Sequence, residues 1–330
     1  MMLFEIANTY FLYHFMHFSY DKNFNVCYYY IKEGEMELRS LRYFLAVAQE
    51  ENITKAADLL HVSQPALSRQ MSILEDELGV TLFERKSHRI KLTQDGLLLQ
   101  RSAMEMVELA DKTQAQFAKK ENSVSGTISI GCGELLSVSP LAAAMTDFRR
   151  KYPQIIFDVY SGNADSIKLR LNNGLLDFGL LVEPVDISDY DFIRLNIREK
   201  WGIYTRFDSP LGRKRSIQPW NLAHTTLLLS KREAVQNEVI NWLGPYARTV
   251  DIAGIFNLNY NGMAAVRQGL GIAVSIQLEC RYDKVKFIPL DPPVTHSSAV
   301  VWKKNQPHSK TIQTFLDYLQ NRLKPTRRHP

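Results

Sequence analysis

Gln64, Pro65, Ser68, Arg69 and Ser72 recur at a spacing that places them on one side of a helix. Their tips suit a nucleobase edge. An arginine donates two parallel hydrogen bonds to guanine O6 and N7, and a glutamine pairs with adenine N6 and N7. Pro65 and the Ala66 methyl offer apolar contact to a thymine methyl, while Ser63, Ser68 and Thr54 suit phosphates or bases. The plainer alternative is a solvated helix face that reads nothing. Total charge does not decide between them, because residues 36–94 carry about as many acids as bases. Segregation does more: Glu75, Asp76 and Glu77 lie at the far end of the helix from Gln64.

These groups need a rigid carrier. Leu67, Met71, Leu74 and Leu78 give that helix an apolar stripe. Ser63 is placed to cap its start, Pro65 falls in the tolerant first turn, and Gly79 ends it. Upstream, Leu38, Leu41, Leu45 and Ala48 mark a first amphipathic helix. Asn52 to Lys55 start a second, in which Ala56, Ala57 and Leu60 pack, and His61-Val62 form a tight turn. Two short helices joined by a turn make a helix-turn-helix. Downstream, Leu82 and Phe83 anchor a hairpin in which Ile90 and Leu92 alternate with Arg89 and Lys91. Its basic tip, with Arg85, Lys86, His88 and Arg89, suits the flanking backbone or minor groove.

Thr93 caps a long helix running to about Lys119, with Asp95 near its positive end. Leu99, Ala103, Met106, Ala110, Thr113 and Phe117 alternate four and three apart, the spacing of a coiled-coil seam. That seam predicts pairing with a second copy, the alternative being a core helix of one domain. A polar stretch, Glu121 to Gly126, closes the linker. From Gly126 strands and helices alternate: strands at 127–130, 155–160 and 176–182, with helices at 140–152 and 165–172. Further strands are expected at 201–204, 226–230, 253–257 and 272–275, and helices at 262–268 and 311–323. This order predicts a parallel sheet covered by helices.

The chain has 330 residues, a net charge of +5 and three cysteines, Cys27, Cys132 and Cys280. No CxxC pair exists, so neither a zinc nor a thioredoxin-like site is expected; the sparse odd count suits a reducing, cytoplasmic setting. No apolar run approaches the ~20 residues of a membrane span. Residues 1–35 are rich in Phe and Tyr without periodicity and lack the features of a signal peptide. Lys32 to Glu35 can be encoded by purine-rich codons containing a ribosome-binding sequence, so translation is expected to start at Met36. Residues 1–35 are then an untranslated extension, or a disordered segment.

The run NITKAADLLHVSQPALSRQMSILEDELGVTLFERKSHRIKLTQDG closely resembles the winged helix-turn-helix of LysR-type transcriptional regulators. The Ala56-Ala57 pair, Ser63 to Ser68, Leu74-Glu75, Leu78-Gly79, Leu82 to Arg85 and Thr93-x-x-Gly96 carry the resemblance, which extends from about Met36 to Leu323. It implies an α/β protein overall. A winged helix-turn-helix at 36–93 precedes a linker and dimerisation helix at 94–122. A periplasmic-binding-protein-like, two-lobed α/β effector domain at 126–323 and a basic tail at 324–330 complete it. It implies a homodimer or tetramer on an interrupted palindrome in double-stranded DNA, with Gln64, Pro65, Ser68 and Arg69 reading. It also implies a small-molecule co-inducer that alters DNA bending and contact with RNA polymerase, with no cofactor, resident metal or membrane partner.

Ligands of such folds bind where strand ends and helix starts face a crevice. This places Gly133, Glu134, Leu135, Asn163, Glu183, Thr205 and Ser230 in the effector pocket. The family often has Ser or Thr near Glu134, where it meets an anionic effector. A carboxylate there favours an amine, a hydroxyl-rich ligand or a metal-bridged one, unless Glu134 merely caps its helix. Cys132, at the same rim, reads as a buried structural thiol rather than a redox sensor. An enzyme or a pure ligand-binding module on the same scaffold are the rivals. The chain has no G-x-S-x-G or H-E-x-x-H, and Gly131-Cys132-Gly133 lacks the third glycine of a dinucleotide fingerprint, Leu136 standing there. A bare module has no reason to carry a winged helix.

Overall fold

The computed structural model describes residues 36–86, 89–117 and 124–323. The expectations for 1–35, for the end of the linker at 118–123 and for the tail at 324–330 lie outside the described residues. The chain divides into a unit ending at Ala103 and another beginning at Met104.

In the first unit, α1 (Leu38–Glu50), α2 (Ile53–Leu59) and α3 (Gln64–Leu78) form a three-helix core. Asn52 caps α2, its side-chain oxygen accepting from the Thr54 and Lys55 amides at 2.9 and 3.1 Å. His61 turns the chain with φ +54° and Gly79 ends α3 with φ +67°, a conformation glycine adopts without strain. Two expectations need correction. The buried face of α1 is Leu41, Phe44 and Val47, with Leu45 and Ala48 only half-buried, because the aromatic ring of Phe44 packs on Phe83 of the hairpin. Leu78 lies past the end of the buried stripe and is exposed.

Strands β1 (Phe83–Lys86) and β2 (Arg89–Leu92) pair antiparallel as the wing. Gln94 to Phe117 follow as α4, 24 residues and about 36 Å long. Thr93 caps it, its hydroxyl accepting from the Gly96 amide at 2.9 Å and donating to the Thr81 carbonyl at 2.6 Å. A Cβ on Gly96 would stand 2.3 Å from the Leu82 carbonyl oxygen, so this crossing admits only glycine.

The second unit is a two-lobed α/β structure. Its first lobe contains β3 (Gly126–Cys132), α5 (Val138–Lys151), β4 (Ile155–Ser161), α6 (Ala164–Asn172) and β5 (Phe178–Val182). The second contains β7 (Thr226–Ser230), α7 (Glu233–Leu243), β8 (Asp251–Phe256), α8 (Asn259–Arg267), β9 (Ile272–Ile276) and β10 (Val285–Pro289). β6 (Tyr190–Arg206) runs through both, and β11 (Thr295–Lys303) and α9 (Lys310–Leu323) return to the first. Within each lobe β3, β4 and β5, or β7, β8 and β9, are parallel. The crossing strands β6, β10 and β11 are antiparallel, so the sheet is mixed rather than parallel throughout. Phe148, Phe178 and Phe315 pack edge-on in the first core, while Ile203, Leu227 and Val274 centre the second.

The C-terminal half of α4 belongs to this unit. Glu108 bonds Arg170 at 2.5 Å and Lys112 bonds Asp177 at 2.9 Å. Glu105, Glu108 and Lys112 share one face of the helix. Met106, Ala110, Thr113 and Phe117 lie on the opposite one.

Candidate nucleic-acid interface and ligand cleft

The interface is built from two surfaces of the first unit. Leu67, Met71 and Leu74 are fully buried beneath α3, and Gln70 fixes its roll by donating to the Ser40 hydroxyl at 2.9 Å. Ser63, Gln64, Pro65, Ala66, Arg69 and Ser72 are consequently exposed, with Ser68 half-buried. Arg69 makes no hydrogen bond or ion pair among the described residues, so its fork is uncommitted. Ser63 occupies the N-cap position, yet its hydroxyl caps nothing. That corrects its expected role and leaves the hydroxyl available outward. Thr54 is exposed in the first turn of α2.

Glu75 reads in sequence as one of a run of acids and as part of the Leu74-Glu75 motif, without a structural role. Its carboxylate accepts from the Leu82 and Phe83 amides at 2.6 and 3.2 Å, tying the start of the wing to α3. The Ile90 amide bonds the Glu51 carbonyl at 3.0 Å, holding β2 to the end of α1. Arg85, Lys86 and Arg89 belong to the two wing strands. His88 and the placement of the three basic side chains lie outside the described residues.

Between the lobes of the second unit lies a cavity of about 100 Å³. Gly133, Glu134, Leu135, Asn163 and Ser230 line it. Two expected positions do not. Glu183 pairs with Arg194 at 3.0 Å, and Thr205 is buried with its hydroxyl 3.0 Å from that of Ser209. The strand-end rule fails for Thr205 because β6 runs on to Arg206 and keeps it within the strand, while Glu183 follows β5 as expected but commits its carboxylate to Arg194. Arg232 and Asn259, unforeseen from sequence, also line the cavity, and each is only 9% exposed. The fold buries Arg232 while its neighbour Lys231 stays exposed, a difference the adjacent basic pair does not show in sequence.

Glu134 does not cap its own helix. Its Oε2 accepts from the backbone amide of Asn259, the first residue of α8 in the other lobe. Arg232 crosses in the opposite sense, donating to Asp165 at 3.3 Å and to the Pro184 carbonyl at 3.2 Å. The N-terminus of α5 is served instead by Glu199, fully buried, which accepts from the Leu136 and Ser137 amides at 3.0 Å each. Burial pushes the Cys132 thiol above its ordinary range, which disfavours the reactive thiolate. No cluster of metal-ligating side chains occurs among the described residues. None of their helices is long and apolar enough to cross a membrane.

Comparison with known proteins agrees with both halves. The family described as "Bacterial regulatory helix-turn-helix protein, lysR family" matches residues 38–97, and "LysR substrate binding domain" matches 121–324. The chain is 37% identical over 300 residues to the HTH-type transcriptional regulator BenM of Acinetobacter baylyi, covering 86% of this chain and 95% of that one. It is 30% identical over 162 residues to the regulator BsdA of Bacillus subtilis, covering 49% of this chain and 56% of that one. The crystal structure of CbnR, a LysR family transcriptional regulator, superposes with a TM-score of 0.69 at 21% identity, over 88% of this chain and all of that one. These matches, covering the helix-turn-helix and the two-lobed domain alike, make the chain a member of the LysR family of DNA-binding transcriptional regulators, not an enzyme.

Proposed function

We propose that the chain acts in the cytoplasm as a homo-oligomer, dimer or tetramer, on an interrupted palindrome. The N-terminal end of α3 enters the major groove, with Gln64, Pro65, Ser68 and Arg69 at base edges. Ser63 and Thr54 hold phosphates, and Arg85, Lys86 and Arg89 meet the flanking backbone. A small-molecule co-inducer enters the interlobe cavity and alters how the bound DNA is presented to RNA polymerase. The observation that carries this reading is the uncommitted Arg69 beside exposed Gln64 on a helix whose opposite face is fully buried. The crystal structure of full-length CbnR complexed with its target DNA, similar at a TM-score of 0.66 and 22% identity, supports the use of this fold on a duplex.

The test is fluorescence anisotropy of a labelled duplex from immediately upstream of the gene, against a shuffled duplex, at two salt concentrations. A preference for the native duplex that Arg69→Ala removes is expected. Equal salt-sensitive binding to both would reduce the surface to a basic patch, and no binding at low salt would overturn the reading.

A further inference from the structure

Among the polar atoms left open in the interlobe cavity, Glu134 offers an acceptor and Arg232 and Asn259 offer donors, beside the buried indole N–H of Trp201 and the side chain of Asn257. Glu134 commits Oε2 to the Asn259 amide, while Oε1 accepts nothing among the described residues. Arg232 commits Nε and Nη2, and its Nη1 donates to no described residue. Asn259 commits its side-chain oxygen to the Ser275 hydroxyl at 2.5 Å, leaving its Nδ2 without a described partner. Arg232 and Asn259 are each more than nine-tenths buried, so these donors are fixed and largely desolvated.

The seat that a simple anion would take, the backbone amide at the start of α8, is already filled by the Glu134 carboxylate. A carboxylate-only ligand would meet that charge. An amine alone would leave Arg232 Nη1 and Asn259 Nδ2 without an acceptor, although Asp165 faces the guanidinium from its other side. The size narrows the class further. A water-sized sphere needs about 10–15 Å³, so about 100 Å³ holds roughly seven to ten of them. Leu180, Val235, Phe256 and Ile276 form an apolar part of the remaining wall, beside Asn163, Asn257 and Ser275.

We propose that the cleft takes a small α-amino acid, of roughly seven to ten non-hydrogen atoms, with its ammonium on Glu134 and its carboxylate on Arg232 and Asn259. The aliphatic side chain faces the apolar wall. This rests on the reading of the cleft as the effector site and names the effector's class. Because Glu134 and Asn259 come from different lobes, the ligand would engage both.

The full chain is titrated by calorimetry with the twenty standard L-amino acids, with propanoate and 3-methylbutanoate, and with propylamine and isobutylamine. A small aliphatic amino acid is expected to bind, with its carboxylate and amine counterparts weaker. Glu134→Gln keeps an oxygen for the Asn259 amide but removes the charge. It should weaken the amino acid about 10- to 100-fold, as should Arg232→Met. Cooperative thermal unfolding and an unchanged circular dichroism spectrum show that both variants fold, even where loss of the Asp165 and Pro184 bonds lowers the melting temperature of Arg232→Met. Carboxylates that bind as well as amino acids, and tighter to Glu134→Gln, would overturn the proposal and leave the cleft an effector site. No binding by any amino acid would also overturn it. An amino acid bound equally by Glu134→Gln, Arg232→Met and a cavity-filling Ser230→Trp protein would overturn both readings, because the ligand would then sit outside the cleft.

Discussion

On the proposed interface, Arg69 and Lys86 separate two ways in which one residue could serve a duplex. A fork on a base edge discriminates; a charge on a phosphate only attracts. Arg69→Ala should therefore cost about 1–3 kcal/mol on the specific duplex and little on a random one. Lys86→Ala should weaken both alike and reduce the slope of log K against log salt by about 0.9. Parallel anisotropy titrations at several salt concentrations measure both, and equal losses from Arg69→Ala on the two duplexes would sink the reading-face assignment. Glu199 shows a third use of a residue, wholly internal. Its two oxygens hold the Leu136 and Ser137 amides at 3.0 Å each with no solvent to replace them. Glu199→Gln keeps one acceptor and strands the other amide, at about 1–3 kcal/mol for a buried group left without a partner. A urea midpoint that does not fall would contradict that account.

At the scale of elements, the crossing of α4 over the wing is the tightest joint in the first unit. Gly96→Ala drives a methyl to 2.3 Å from the Leu82 carbonyl, and neither backbone can yield cheaply. The expected cost is about 1–3 kcal/mol, as for other overpacked sites, read as a lower melting temperature together with weaker DNA binding as the wing shifts. Retention of both would show that the joint is slack. Local signals made this unit legible before its structure: Asn52, His61 and Gly79 each punctuate the chain by their own chemistry. The second unit was legible where strand and helix alternate, and lost where pairing is remote. Arg198, Glu199 and Lys200 interrupt the apolar pattern of β6, so its 17 residues read as a short strand at the apolar end alone. β10 and β11 return antiparallel after long excursions, and α7 went unread beside them. The cleft divides likewise. Gly133, Glu134, Asn163 and Ser230 follow from strand ends, whereas Arg232 and Asn259 become wall residues only once the two lobes meet. Glu75 was hidden for the same reason, since an acid at a helix end shows nothing of the two wing amides it holds.

For the whole molecule, the decisive surface is the side of α4 that its own effector domain leaves uncovered. Glu105, Glu108 and Lys112 face that domain, while Met106 is 40% and Phe117 84% exposed on the other side. An aromatic ring that open on a long helix calls for a partner, and the four-three spacing with Ala110 and Thr113 offers a seam for a second copy. A paired chain carries two α3 helices, and helix-turn-helix dimers address two half-sites one duplex turn, about 34–36 Å, or a multiple of it apart. Met106→Glu combined with Phe117→Glu sets like charges against each other across that seam without touching the Arg170 and Asp177 bonds. Sedimentation should then shift to a lighter species. Affinity for a duplex with both half-sites should fall about 100- to 10,000-fold, the usual gain from tethering two binding heads, while binding to a single half-site stays unchanged. Equal losses on one and two half-sites would place the damage in the reading head itself. An unaltered sedimentation profile would move the oligomer interface to the effector domains, leaving Phe117 to another neighbour.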